Sequence, residues 1–112
     1  MASIERVELY NASITGVLAN DKGTAVSTEA LQTDFTFFIN LSNRTAGNYT
    51  GIVEHSPDGT NWVTLVTFTV LGANGVEQKT ASVPVLGYLR ADVSASAGNG
   101  DLVITAHWDR KK

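Results

Sequence analysis

Hydrophobic and polar residues alternate along much of the chain with the period of two that is typical of β-strands. The clearest run spans residues 34–42, and similar runs follow at residues 88–96 and 102–109. In each run one set of alternate side chains is apolar and the other is mostly polar. The pattern predicts three long strands with one buried face each. The predicted inward residues are Phe35, Phe37, Ile39, Leu41, Leu89, Ala91, Val93, Ala95, Leu102, Ile104, Ala106 and Trp108.

Other segments carry weaker strand patterns. Residues 62–70 are β-branched and aromatic, and alternation puts Trp62, Val66, Phe68 and Val70 on one face. Further strands are predicted in residues 6–10, 13–18, 24–28, 49–55 and 77–83, and a short helical turn in residues 28–32. Turns rich in Gly and Asn separate these strands, at residues 20–23, 72–75 and 98–100.

This succession of strands predicts an all-β fold. About seven to nine strands with short turns indicate an antiparallel β-sandwich of jelly-roll-like or immunoglobulin-like type. The chain has no cysteine, so the Cys and Trp pattern of immunoglobulin domains is absent and the jelly-roll form is favoured. We expect residues 1–112 to form a single domain with short flexible arms at both ends.

Composition narrows the classes of function. Without cysteine there is no disulfide framework, thiolate zinc site or cysteine nucleophile. No apolar run is long enough for a membrane helix and the first residues lack a signal-peptide pattern, so we expect a soluble protein made in a cytoplasm, without a membrane partner. There are 8 Lys plus Arg against 11 Asp plus Glu, and three of the basic residues are the last three of the chain. The acidic remainder disfavours nucleic-acid binding.

The charged fraction is only 17%, with Thr, Ser, Asn and Gly supplying much of the polarity. Soluble domains ordinarily carry about a quarter of charged residues. The low charge therefore suggests that neighbouring molecules cover part of the outer surface.

Candidate catalytic and metal-binding residues are sparse. The two histidines, His55 and His107, lie outside any nucleophile motif. The carboxylates occupy turns or the polar faces of strands rather than one pocket: Glu54, Asp58, Asp92, Asp101 and Asp109. Asp58 with Asn61, or Asn99 with Asp101, offers oxygen ligands for calcium but lacks the carboxylate density of an EF-hand. We expect no enzyme activity, no cofactor and no metal.

Three aromatic residues, Trp62, Trp108 and Tyr88, raise the alternative of a platform for sugar rings. Alternation puts both tryptophans on inward faces, which favours a place in the core. Tyr88 belongs to a polar face and is the candidate for exposure.

The segment from Val53 to Leu65, VEHSPDGTNWVTL, contains a turn with a clear physical basis. Pro57 presets its own φ, Asp58 caps the turn and Gly59 accepts a positive φ. Together with the later run GYLRADV at residues 87–93, this segment resembles the S-x-D-G-x-x-W-x-x-[LV] and Y-[LV]-R-[AV] signature of small β-sandwich virion proteins of tailed bacteriophages. It is also similar, more weakly, to discoidin-type carbohydrate-binding sandwiches.

The phage resemblance implies a capsid decoration (cement) protein, which binds the outer face of the head and stabilises it, or a tail or head-fibre component. It implies that Asp58 and Gly59 close a structural hairpin, that Trp62 packs beneath it and that Arg90 is a structural or interfacial ion-pair partner. The partners would be the major capsid protein and other copies of this chain, and the location the virion. The candidate contact residues are those of the two chain ends: Met1, Ala2, Ser3, Ile4, Arg110, Lys111 and Lys112. A carbohydrate-binding module is the alternative, with a glycan as its ligand.

Overall fold

A computed structural model describes residues 3–28, 34–69, 71–81 and 87–110. These residues form six strands: β1 Ser3–Lys22, β2 Val26–Ser27, β3 Phe35–Ser56, β4 Val63–Thr67, β5 Gly75–Ala81 and β6 Tyr88–Arg110. Every pairing between these strands is antiparallel. The predicted all-β antiparallel class is confirmed. No helix occurs in the described ranges, and hence none that is long and apolar enough to span a membrane.

The described strands are fewer and longer than the sequence pattern predicts. The segments 6–10 and 13–18 are continuous in β1, 34–42 and 49–55 lie largely in β3, and 88–96 and 102–109 lie in β6. Segments 24–28, 62–70 and 77–83 correspond to β2, β4 and β5, although Val70 and residues 82–83 lie outside the described residues. So do residues 29–32 of the predicted helical turn.

The three long strands continue because the sheet bends instead of ending. Register shifts fall at Gly16/Leu18 and Leu18/Asp21 of β1 and at Ser42/Ala46 and Ala46/Asn48 of β3. Positive φ values occur in the same places, at Gly16, Gly47 and Ala97. Bulges of this kind bend a strand and increase its twist while the ladder resumes on the other side.

The bend divides the sheet into two parts. In the first, residues 36–42 of β3 and 101–107 of β6 pair with each other and are flanked by β5 and by the beginning of β1. In the second, residues 48–56 of β3 pair with 88–96 of β6, flanked by β4, by β2 and by the end of β1. A Cβ at Gly51, in the second part, would lie 3.1 Å from Cδ1 of both Ile39 and Ile104 in the first. The inner faces therefore contact each other, which is consistent with a β-sandwich.

The core lies between these inner faces, and the inward residues predicted for the three long runs are confirmed. All twelve have at most 5% of their surface exposed, and Tyr49, Val53 and Phe68 join them. Trp62 does not: it is half-buried, because it precedes the first residue of β4 and lies beside the sheet. In β4 itself Leu65 and Val66 are both half-buried, since the ladder with β3 shifts register between Val53 and Glu54.

Candidate functional site

The turn at residues 56–61 is held together by side chains. Ser56 Oγ accepts hydrogen bonds from the backbone N–H groups of Asp58 (3.2 Å) and Gly59 (2.9 Å), and donates to Asp58 Oδ1 (2.9 Å). Asp58 Oδ1 also accepts from the backbone N–H groups of Thr60 (2.8 Å) and Asn61 (2.9 Å). Gly59 adopts a φ of 79°, the left-handed region that glycine enters without a steric penalty.

The electrostatics of this turn follow from its hydrogen bonds. Asn61 Nδ2 donates to Asp58 Oδ2 at 2.7 Å, so both carboxylate oxygens are occupied. These donors, above all the backbone N–H groups of Asn61 and Thr60, hold the pKa of Asp58 well below its usual range. The carboxylate thus remains charged and fixed, and it serves to close the turn.

Next to the turn, Trp62 and Arg90 form a stacked pair. The guanidinium carbon of Arg90 lies 4.1 Å from the centroid of the Trp62 ring, within the range of a cation–π interaction. Arg90 Nε donates to Glu54 Oε1 at 2.8 Å, and both side chains are largely buried. Glu54 and Arg90 are directly opposite in the β3–β6 ladder, two residues from the pair Ser56 and Tyr88. We call Glu54, Trp62, Tyr88 and Arg90 the hairpin-end cluster.

Tyr88 completes this cluster on the side of the turn. Its ring is half-buried, and a Cβ at Gly59 would lie 4.0 Å from Tyr88 Cδ2. The four residues of the predicted structural hairpin, Asp58, Gly59, Trp62 and Arg90, are therefore at one end of the sheet.

The chain ends are the other predicted contact site. The backbone of Ser3 pairs with that of Arg110, and Ile4 pairs with Asp109, so these residues belong to the β1–β6 ladder and not to free arms. The antiparallel ladder thus brings Ser3 and Ile4 beside Arg110 and Asp109. Met1, Ala2, Lys111 and Lys112 lie outside the described residues.

The titratable residues do not converge on one centre. His55 lies on the inner face of β3, where burial lowers its pKa, and His107 lies on the outer face of β6. Glu54 binds Arg90, Asp92 binds Lys22, and Asp101 accepts from Asn43 Nδ2 (2.8 Å) and Ser13 Oγ (2.6 Å). The ranges described contain no group of three or more His, Cys, Asp or Glu side chains able to hold a metal ion.

No protein-family model and no curated protein matches this chain. Among solved structures, a chain from "Structure of infectious bursal disease virus Gx strain" is similar at 9% identity, with a TM-score of 0.48. The match covers 99% of this chain and 37% of that one, so this chain spans little more than a third of its neighbour's length. Likeness at this level identifies neither a family nor a function.

Sequence reasoning missed a polar clamp between the two parts of β1, in which Tyr10 Oη donates to Asp21 Oδ2 at 2.6 Å. Beside it, Lys22 of β1 forms an ion pair with Asp92 of β6. Burial, and then the hydrogen bond to Asp21, raises the pKa of Tyr10 well above its usual value. The polar residues at 20–23 suggest only a turn, because the sequence does not indicate that β1 bends back toward its own beginning.

A second missed feature is an apolar patch on the outer face of the first part of the sheet. Phe38 packs its ring against that of His107 at 5.2 Å between centroids, and Val76 beside them is 61% exposed. Burial, together with the nearby charge of Arg6, lowers the pKa of His107. Phe38 was visible in the sequence as the one apolar residue on the polar face of its strand.

Proposed function

We propose that this protein is a structural component of a virus particle, namely a capsid decoration protein of a tailed bacteriophage that binds the outer face of the head and stabilises it. The observation that carries the proposal is the hairpin-end cluster. The residues of the phage-type signature are used to tie the turn, β3 and β6 together, as that resemblance implies. Arg90 covers one face of Trp62 and is itself held by Glu54.

The distribution of chemistry over the surface supports the same role. In the described residues Glu54, Asp92 and Asp101 are each held by separate partners on different strands, an arrangement suited to stability and not to catalysis. A decoration protein needs a rigid fold, outer faces that fit neighbouring subunits and many symmetric contacts, each of which can be weak. It needs no cofactor, and we propose that the protein is not an enzyme.

The finer fold assignment is part of this proposal. The bent sheet would form a jelly-roll-like or immunoglobulin-like β-sandwich, with the major capsid protein and other copies of the chain as partners. The contact residues proposed at the ends are Met1, Ala2, Ser3, Ile4, Arg110, Lys111 and Lys112. Of the described ones, Ser3 pairs with Arg110 in the β1–β6 ladder and Ile4 is next to them. A tail or head-fibre location would use the same surfaces.

Binding to particles tests the proposal. Purified protein is mixed with heads from particles made without this gene, and the bound fraction is measured by sedimentation. We expect saturable binding and heads that withstand higher temperature. A variant with Arg110, Lys111 and Lys112 changed to Gln should bind more weakly at low salt, whereas Lys79→Gln on β5 serves as the control. Heads that bind no protein would contradict the proposal.

A carbohydrate-binding module is the second candidate, favoured by the half-buried rings of Trp62 and Tyr88 at the hairpin end. Sugar binding would change the tryptophan emission and would be lost in Tyr88→Ala without loss of the fold. If no glycan in a broad panel alters the emission, this candidate is excluded.

A further inference from the structure

The beginning of β1 is an open edge in the described part of the chain. β1 stands at the end of the strand order and pairs with β6 alone among the described strands. From Glu8 to Ala12 it lines one cavity together with the chain at residues 21–24, and a Cβ at Gly23 would overlap the carbonyl oxygen of Leu9. Among the strands that the structure describes, none pairs with the other side of the segment from Ser3 to Glu8, so its backbone groups there are available to another strand.

The edge of β5 that faces away from β3 is protected against pairing with another chain. Glu77 and Lys79 are opposite Ile39 and Phe37, two buried residues, so both charges lie on the inner face of the sheet. Glu77 Oε1 accepts the backbone N–H of Thr69 at 2.6 Å, which ties this edge to the chain that follows β4. Inward charges on an edge strand are a common protection against pairing with another chain. In residues 6–8 of β1, by contrast, the charged residues Arg6 and Glu8 are exposed and share the outer face.

We propose that the open edge of β1 pairs antiparallel with β1 of a second copy, around a two-fold axis at Val7. A two-fold axis perpendicular to the sheet keeps the inner faces of both copies on the same side. The axis then lies between one residue and the same residue of the second copy. Any other two residues that are opposite each other have numbers that add up to twice the number of that central residue. When the pairing is centred on Val7, Arg6 of each copy is opposite Glu8 of the other copy, so two pairs of opposite charge form. Val7 packs on the core and would meet its symmetry mate, which extends the apolar face across the axis.

Charge selects this register over its neighbours. A two-fold axis at Arg6 would oppose two arginines, and an axis at Glu8 or at Glu5 would oppose two glutamates. Like charges directly opposite each other destabilise a strand pair, whereas opposite charges stabilise it. Among the registers centred on residues 5–8, only the one at Val7 therefore brings opposite charges together.

The contact is short, because the register shift between Glu8 and Tyr10 and the chain at residues 21–24 limit it. A ladder of a few residues buries less area than a permanent dimer, so the association is weak and concentration-dependent. That this dimer contact joins neighbouring copies on a capsid rests on the proposed function. The pairing itself is tested in solution without particles, so the pairing and the proposed function can fail separately.

Sedimentation equilibrium over a range of concentrations measures the association. We expect the unmodified chain to dimerise, and Arg6→Glu or Glu8→Arg to weaken the dimer roughly tenfold by making both cross-axis pairs repulsive. The double variant R6E/E8R restores opposite charges and should restore dimerisation. Lys79→Glu makes the same change of charge as Arg6→Glu on the protected edge and should leave the dimer intact. Circular dichroism confirms that each variant is folded.

A monomer at every concentration up to about 1 mM would overturn the inference. So would a dimer that both single variants leave unchanged, or a double variant weaker than either. An independent measurement uses the absence of cysteine from the chain. Val7→Cys should form a disulfide-linked dimer on oxidation much faster than Val17→Cys, whose position is 77% exposed but lies away from the axis. Equal rates would overturn the inference as well.

Discussion

The ring of Tyr49 lies directly against Gly98, so that a Cβ at Gly98 would come within 2.8 Å of the Tyr49 hydroxyl oxygen. Tyr49 is completely buried, and its hydroxyl donates to the carbonyl of Ala46 at 3.1 Å. This contact lies where β3 and β6 pass through the bend. The missing side chain at position 98 gives the ring room to fill the inside of the bend.

Gly98→Ala should therefore destabilise the protein by about 1–3 kcal/mol, because the buried ring cannot move aside without strain. Urea-induced unfolding measures the change in the free energy of unfolding. Gly75→Ala is the matched control, since a Cβ there meets no atom within 4 Å. Equal effects of the two substitutions would show that Tyr49 does not limit the space at Gly98.

Phe37 and its neighbour Phe38 provide a test of the two faces of β3. Phe37 is completely buried between the two parts of the sheet, whereas Phe38 is half-buried on the outer face. Phe37→Ala should cost about 3–5 kcal/mol of unfolding free energy. Phe38→Ala should cost no more than about 1–2 kcal/mol. Equal losses would mean that the assignment of the inner face is wrong.

The ion pair of Arg90 and Glu54 should show measurable coupling. Both side chains are largely buried and the hydrogen bond is charge-assisted, so Arg90→Met should cost about 1–3 kcal/mol. It should also shift the tryptophan emission, because Trp62 loses its stacked cation. A double-mutant cycle with Glu54→Gln isolates the pair, and a coupling energy of zero would contradict the geometry.

The hydrogen bonds of Asp58 make the free energy of unfolding depend on pH with a definite sign. Its folded-state pKa is lowered by the hydrogen bonds of Asn61, Thr60 and Ser56, so the unfolded chain binds its proton first as the pH falls. The stabilisation by Asp58 is present above about pH 4, the ordinary aspartate range, and is lost as the pH falls through the folded-state pKa. The difference in unfolding free energy between the unmodified chain and Asp58→Asn should therefore shrink in acid. A difference independent of pH would contradict this role.

The sequence alone was sufficient to predict which face of each long strand is buried. Alternation identifies Phe35 to Leu41, Leu89 to Ala95 and Leu102 to Trp108, because one buried face imposes a period of two on each strand. It does not report where a strand ends. The Gly98-Asn99-Gly100 segment resembles a turn, yet these residues pair with Gly16, Thr15 and Ile14 inside one long ladder.

The candidate site was predictable only in part. The turn chemistry of Asp58 and Gly59 follows from local sequence. The contact between Trp62 and Arg90 does not, because Arg90 belongs to β6, a strand distant in sequence. The clamp between Tyr10 and Asp21 was invisible for the same reason, since it requires β1 to bend back toward its own beginning.

The most direct test of the proposed virion role is quantitative mass spectrometry of purified particles from the source that encodes this chain. The number of copies is measured relative to the major capsid protein. A decoration protein that repeats with the capsid symmetry should be present at on the order of hundreds of copies per particle. Absence of the chain from intact, purified particles would contradict the proposed function.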